Sequence, residues 1–256
     1  MTATVLVTGG TGTLGRVVTP LLRAADFKVR VLSRSPHGAA DGIEYVVGNL
    51  TTGEGIDAAV AGVDTILHLA GDAKGDDDKA RTLVNAATKA GHPHLVYISV
   101  VGADQESFAY FGFKRAAEQV IADSGLPWTT VRATQFNDLV LTLAKALTKP
   151  PVAPVFSGFR VQPIDPRDVA ARLVELAQGE PAGLVADVAG PKIYTLKEII
   201  SSYLAATGRR RPLLPIRLPG KAARAFRTGL NLAPDHATGA HSWEAFLAER
   251  VHKLTA

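Results

Sequence analysis

Apolar positions along this chain alternate between two periods. Short runs rich in Val and Ile, at residues 5–7, 28–34, 43–47, 63–71, 94–99 and 126–132, carry the period of buried strands. Between them, apolar residues recur at helical spacing, as in Leu14, Val17, Val18, Leu21 and Leu22, then over residues 80–90 and 136–147. Strand alternating with helix predicts an α/β fold, a Rossmann-type doubly wound parallel sheet. Short strands are expected within residues 152–160, 182–190 and 211–218, and helices with a loop near Gly239 close the chain over residues 222–256. There is no internal repeat, low-complexity tract or long linker. One domain over residues 1–256 is therefore expected, with residues from about 150 onward forming a smaller substrate-side part.

The first strand runs straight into Thr8-Gly9-Gly10-Thr11-Gly12-Thr13-Leu14-Gly15, where Gly9, Gly12 and Gly15 recur every third residue before a helix begins. Strand, glycine turn and helix together make a phosphate cradle: a tight turn, close backbone approach, and free N–H groups near Thr13 and Leu14 at the positive end of the helix. The second strand ends in Ser33-Arg34-Ser35, with no acid to accept from a ribose 2′-hydroxyl. A guanidinium there clamps a 2′-phosphate with paired donors, which points to NADP(H) rather than NAD(H). Asn49 and Leu50 follow the third strand, where Asn49 is placed to meet an adenine edge or to cap the helix that follows. The fourth strand ends in the small residues Ala70 and Gly71, as a backbone lying against a cofactor requires. His68 within it reads as a packed core histidine.

Composition narrows the chemistry. With no cysteine, the chain has no disulfide, thiolate metal site or thiol nucleophile. No stretch has the roughly 18 consecutive apolar residues of a membrane helix, and no secretory signal is seen, so a cytoplasmic protein without membrane contact is expected. Asp76-Asp77-Asp78 reads as acids at a helix N-terminus, and His92-Pro93-His94 lacks a third ligand, so no metal site is expected. The net charge of +4 is partly local, in Arg209, Arg210, Arg211, Arg217, Lys221, Arg224 and Arg227. With Phe226 as the one aromatic among them, this is a solvated basic surface or an anionic-ligand site rather than a nucleic-acid face.

Tyr110 and Lys114 stand at i and i+4, on one helical face. An ammonium beside a phenol favours the phenolate and lowers the tyrosine's pKa. Two blander arrangements fit the same residues: Lys114 pairing with Glu118, and Tyr110 packing with Phe108, Phe111 and Phe113.

These motifs, with Tyr97-Ile98-Ser99, the segment Gly125-Leu-Pro-Trp-Thr-Thr-Val-Arg132-Ala-Thr-Gln135-Phe136, Gln162-Pro-Ile-Asp165-Pro-Arg-Asp168 and the closing Ser242-Trp-Glu-Ala-Phe-Leu, resemble the short-chain dehydrogenase/reductases of extended or atypical kind, close to NmrA-like NAD(P)-binding proteins. The resemblance covers nearly the whole chain. It implies an NADP(H)-dependent oxidoreductase that reduces a carbonyl or activated alkene in a small to medium, largely apolar substrate. Tyr110 would donate the proton, Lys114 would tune it and grip the nicotinamide ribose, and Ser99 would polarise the substrate oxygen. Gln135, Phe136 and Phe156 would lie on the substrate side, and Asp168 reads as a structural cap. Family reductases often carry a hydroxyl one or two residues beyond Ser99, where this chain has Val100 and Val101. A non-catalytic NADP(H)-binding sensor and a nucleotide-sugar epimerase or dehydratase are the alternatives. The expected partners are a small-molecule substrate and at most a second copy of the chain, as monomer or homodimer, with no nucleic acid.

Overall fold

The computed structural model describes residues 2–38, 42–72, 74–105 and 109–255, with side chains as far as Arg250. Its elements run β1 (Thr4–Thr8), α1 (Gly15–Ala24), β2 (Lys28–Ser33), β3 (Glu44–Val47), α2 (Ile56–Val60), β4 (Thr65–His68), α3 (Asp76–Lys89), β5 (His94–Val100), α4 (Ala109–Ala122) and β6 (Trp128–Ala133). There follow α5 (Asn137–Leu147), β7 (Ala153–Phe156), β8 (Arg160–Val161), α6 (Pro166–Gln178), β9 (Gly183–Leu184), β10 (Tyr194–Thr195), α7 (Leu196–Ala206), β11 (Leu213–Ile216), α8 (Lys221–Thr228) and α9 (Trp243–Thr255). The chain divides into two compact units interleaved in sequence: residues 1–99, 109–132 and 169–185, and residues 100–108, 133–168 and 186–256. Among the described residues, no helix is long and apolar enough to cross a membrane.

The first unit is built on a seven-stranded sheet in the order β3-β2-β1-β4-β5-β6-β9. Its described pairings are parallel, with Val5 opposite Val29 on one side and Thr65 on the other. This is the doubly wound arrangement expected from the alternating periods, and the order reverses between β1 and β4, where such sheets hold ligands. Central strands buried on both faces read as continuous apolar runs: Val5, Leu6, Val7, Ile66, Leu67, Leu95 and Val96 are all fully enclosed. The helix expected over residues 80–90 begins earlier, at Asp76. Gly75 precedes it in the left-handed conformation, and three aspartates in the first turn suit the helix dipole. The apolar period starts only one turn later, and the acids read as a helix N-terminus form that first turn.

The second unit has two small sheets, antiparallel β8–β10 and parallel β7–β11. Trp243 is fully enclosed, packs on Phe246, and donates its indole N–H to Ser202 Oγ at 2.9 Å. Thr195 and Glu198 close a reciprocal capping box on α7. Asp168 holds the residues 239–241 loop rather than capping α6. Its Oδ2 accepts from Ala240 N and His241 N, and Oδ1 lies 2.7 Å from His241 Nδ1. The cap of α6 is Asp165, which accepts from Arg167 N at 2.9 Å.

His68, on β4 between β1 and β5, has no exposed surface. Its Nδ1 lies 2.7 Å from Thr8 Oγ1 and its ring stacks on Tyr97. Burial, reinforced by the positive charge of Lys114, lowers its pKa to about 3. The unfolded chain takes up this proton near pH 6.5 and the folded chain refuses it, so stability present above that pH is lost as pH falls toward 3. By pH 4 the loss from this group is about 3 kcal/mol. Urea midpoints should therefore fall steeply between pH 7 and pH 4, and less steeply in His68→Gln. An equal fall in both proteins would assign the acid sensitivity elsewhere.

Candidate cofactor and active site

The buried strand β1 delivers Gly9 to its carboxyl end at φ +71°, where a side chain is strained. A Cβ on Gly9 would stand 2.8 Å from Ala70 N and 2.9 Å from the carbonyl carbon of Leu69. A Cβ on Gly15 would stand 2.3 Å from Gly9 O. Both positions thus admit only glycine, so the turn folds tightly against the end of β4 and the start of α1. Gly12 N donates to Gly9 O at 3.0 Å and Arg16 Nε donates to Thr11 O at 2.8 Å, which fix the loop. No side chain caps α1, and the backbone N–H groups of Thr13 and Leu14 meet no acceptor among the described residues. The cradle therefore fits a pyrophosphate: closely approachable backbone, with spare donors at a helix N-terminus.

Arg34 is exposed just past β2, with no carboxylate within 4.0 Å among the described residues. Ser33 is buried and orders this exit: its Oγ accepts from Ser35 N at 3.2 Å and lies 2.9 Å from His37 Nε2. The imidazole of His37 in turn stacks on Tyr45 at 4.8 Å. His37 was not singled out from the sequence, although a Ser-x-x-x-His spacing at a strand exit is visible there. Asn49 turns its Oδ1 to Thr51 N at 2.9 Å, capping its own turn rather than α2, whose N-cap is Gly55. Leu50 is buried in the core of this unit.

Lys114 is buried and does not pair with Glu118. Glu118 is held by Arg132 through two bonds of 2.8 Å and by Arg115 at 3.3 Å. Lys114 Nζ lies instead 2.7 Å from Asp76 Oδ2, and Asp76 is only 1% exposed. That oxygen accepts no well-aligned hydrogen bond, so charge rather than angle holds the pair. Asp76 Oδ1 accepts from Asp72 N at 2.8 Å and stands 3.7 Å from Lys79 Nζ, which is itself paired with Asp72. A Cβ on Gly71 would stand 2.7 Å from Lys114 Nζ, so the glycine ending β4 leaves the space that the ammonium occupies.

Lys114 Nζ sits 5.9 Å from the ring centre of Tyr110 and 5.8 Å from that of Tyr97. The expected lowering of the Tyr110 pKa does not occur. Burial and then the Asp76 carboxylate push it up to about 12, because the ammonium that would favour a phenolate is neutralised by its own partner. Tyr110 touches Phe111 at 5.8 Å, and Phe108 lies outside the described residues. The Ser99 Oγ and the Tyr97 hydroxyl are buried with no hydrogen-bond partner among the described residues, both on β5.

Gln135, Phe136 and Phe156 belong to the second unit. Gln135 spends both ends of its amide on the backbone, donating to Asn231 O at 2.8 Å and accepting from Gln162 N at 3.1 Å. Phe136 is the residue before α5 and bridges Ile164. Phe156 joins an aromatic row, 5.4 Å from Phe159, which stacks on Phe226 at 5.2 Å. Val101 packs with Ala189 and Ala233, a core role within that unit. Among the described residues, no three His, Asp or Glu side chains are grouped to hold a metal.

A model of NAD(P)H-binding proteins matches residues 9–180, more than half of the chain and the whole glycine cradle. The chain belongs to this NAD(P)H-binding family of atypical, NmrA-like short-chain dehydrogenase/reductases. It is 33% identical over 233 residues to the (4-alkanoyl-5-oxo-2,5-dihydrofuran-3-yl)methyl phosphate reductase of Streptomyces griseus, across 88% of this chain and 80% of that protein. It is 29% identical to the NAD(P)H azoreductase of Xenophilus azovorans over 236 residues, 89% of this chain and 82% of that protein. A solved NADPH-dependent quinone oxidoreductase from Escherichia coli, complexed with NADPH, superposes with a TM-score of 0.83. That match covers 98% of this chain and 100% of the other, at 20% identity, and shows the fold.

Within this NAD(P)H-binding protein, Asp76 is the site residue that sequence reasoning passed over. Acids in a first helical turn look solvated, and nothing local shows that one of them is buried against a lysine on another helix. Breaking a buried ion pair from one side costs about 3–5 kcal/mol, so Asp76→Asn should be clearly less stable in urea. It should also lower the Tyr110 pKa, read as ultraviolet tyrosine ionisation relative to Tyr110→Phe in the same background. An unmoved titration would mean that Asp76 does not govern the phenol.

Proposed function

We propose that this chain is an NADP(H)-dependent reductase acting on a carbonyl or activated alkene in a small to medium substrate. One observation carries the reading: Lys114 sits against Gly71, at the strand end beside the glycine cradle, and faces the Tyr110 ring on its own helix. The cofactor-binding geometry and the Tyr-Lys pair are thus joined within one compact unit. The relatives' names support reduction as the reaction class, since both curated relatives described above are reductases.

In this reading Gly9, Thr11, Gly12, Thr13, Leu14 and Gly15 hold the pyrophosphate, and Ser33 and Arg34 receive the ribose 2′-phosphate. Asn49, Leu50, Ala70 and Gly71 bound the adenine and ribose side. NADPH, when bound, supplies a hydride to the substrate. Tyr110 keeps its proton throughout the neutral range and so stands ready as the acid for the reduced oxygen or carbon. Lys114, once engaged by a ribose, shares its ammonium between that hydroxyl and Asp76. Ser99 offers the substrate oxygen a buried hydroxyl that has no partner among the described residues. On the substrate side, Phe136 and Phe156 are apolar walls. Gln135 acts by fixing their backbone, because its own amide is already used.

A second reading, an NADP(H)-binding sensor without turnover, is favoured by the Lys114 charge being satisfied by Asp76 and by the raised rather than lowered Tyr110 pKa. Tyr110→Phe separates the two. A reductase should lose roughly 10²–10⁴-fold in NADPH oxidation with its NADPH affinity kept, whereas unchanged oxidation would remove Tyr110 from the chemistry. The panel should contain quinones, ketones and enones, and no consumption of NADPH with any of them would favour the sensor.

The cofactor preference rests on Arg34. Losing a charged donor to a phosphate costs about 1.5–3 kcal/mol, roughly ten- to a hundredfold in affinity. Arg34→Ala should weaken NADPH binding by that factor and leave NADH binding unchanged. Equal affinity of the unaltered protein for NADH and NADPH would overturn the assignment.

A further inference from the structure

Residues 199–234 contain seven cations and no acid: Arg209, Arg210, Arg211, Arg217, Lys221, Arg224 and Arg227. Most of these are spread over the surface of the second unit, but Arg227 is not. Its aliphatic stem lies over Gly158, where a Cβ would come within 3.1 Å, and its Nη1 donates to Leu218 O at 2.7 Å. Arg160, two residues past Gly158, lies against Gly229, two residues past Arg227. A Cβ on Gly229 would stand 2.9 Å from Arg160 Nη2. Two half-buried guanidiniums are thus seated where the 158–160 and 227–229 segments cross, each packed on a glycine. Neither has a carboxylate within 4.0 Å among the described residues. The neighbours of these arginines in the chain are Phe159 and Phe226, whose rings stack at 5.2 Å and 10° and continue to Phe156.

A guanidinium partly withdrawn from water without a counter-ion is costly, and its planar fork of donors matches an oxyanion. Phe156 and Phe159 pack on one side against the apolar cluster of Ala153, Val155, Leu196, Ile200 and Leu204, and the surface that these half-buried rings and Phe226 keep exposed can meet a flat or alkyl body. From this juxtaposition we infer that Arg160 and Arg227, with Phe159 and Phe226, form a binding site within the second unit for an amphiphile: an apolar body ending in a phosphate or carboxylate. The inference goes beyond the reductase reading and stands on the second unit alone.

The test is calorimetric titration of the protein, saturated with NADP⁺ so that the cofactor's own phosphate sites are filled, with 1-naphthyl phosphate. The unaltered protein should bind it at least tenfold more tightly than 1-naphthol or inorganic phosphate alone. Arg160→Gln and Arg227→Gln should each weaken binding at least tenfold, Arg227→Lys less, and Arg210→Gln, on the exposed surface, not at all. Circular dichroism melts check that each variant folds, and Arg227→Lys keeps the test decisive if a glutamine variant does not. The inference is overturned if 1-naphthol binds as tightly as its phosphate, if the Arg160 and Arg227 variants behave as the unaltered protein, or if NADP⁺ abolishes the binding. It is also overturned if phosphatidylglycerol vesicles capture the protein through the same arginines in preference to the soluble probe, since the surface would then serve a lipid bilayer. NADPH oxidation with an uncharged quinone, followed in parallel, keeps the two failures apart. Its absence would count against the reductase reading, whereas the titration judges the subsite alone.

Discussion

The close approach of three backbone segments around Gly9 is the constraint on which the first unit depends. Gly9 lies against the end of β4, and Gly15 lies against Gly9 itself, with clearances that no Cβ fits. Strands β1 and β4 are neighbours at the point where the strand order reverses. Their connections leave in different directions there, and the small residues let the turn close over that gap. A side chain at either glycine would push α1 off the sheet and take the spare N–H groups of Thr13 and Leu14 with it. The cradle's shape is therefore a packing consequence of the sheet's topology, and its affinity for an anion follows from donors that the fold leaves unpaired.

The Asp76–Lys114 pair adds a second, electrostatic constraint to the same unit. Burying both charges is expensive, and the pair persists because each has further company: Asp76 receives the Asp72 amide and stands near Lys79, while Lys114 faces two aromatic rings. The consequence for chemistry is directional. A lysine with a free ammonium would favour the Tyr110 phenolate, a base suited to taking a proton from an alcohol. With the ammonium neutralised by Asp76, Tyr110 retains its proton and is suited to giving one. Under the proposed reductase reading that state suits a proton donor, and under the sensor reading it leaves the phenol inert.

Much of this was legible from the pattern of residues. Strand and helix periods reported the doubly wound sheet, and the glycines between residues 9 and 15 reported the cradle, because both signals are local and each residue type has one physical reason to be there. The features that escaped are those whose partners lie far along the chain. Asp76 looked like a solvated helix start, since only folding reveals Lys114 beside it. Asp168 looked like a cap for its own helix, yet it ties down Ala240 and His241. Gln135, polar and just past a strand end, looked like a ligand contact, but its amide is satisfied by Asn231 and Gln162. In each case the sequence does not say which partner arrives. Strands of two residues, such as β8 and β10, are too short to show a period at all.

The charge distribution of the second unit bears on which ligands that unit would hold. Apolar pockets discriminate weakly, at about 1–3 kcal/mol for each methylene they accept or reject. An aromatic row such as Phe156, Phe159 and Phe226 would on that scale admit many flat molecules. A buried polar or charged group discriminates far more sharply, because a ligand without the matching group leaves it unpaired. Arg160 and Arg227, half-buried on glycines and without carboxylate partners among the described residues, share part of that character. Binding at the proposed site of the second unit is then expected to follow the sign of the ligand's charge more closely than the size of its apolar body.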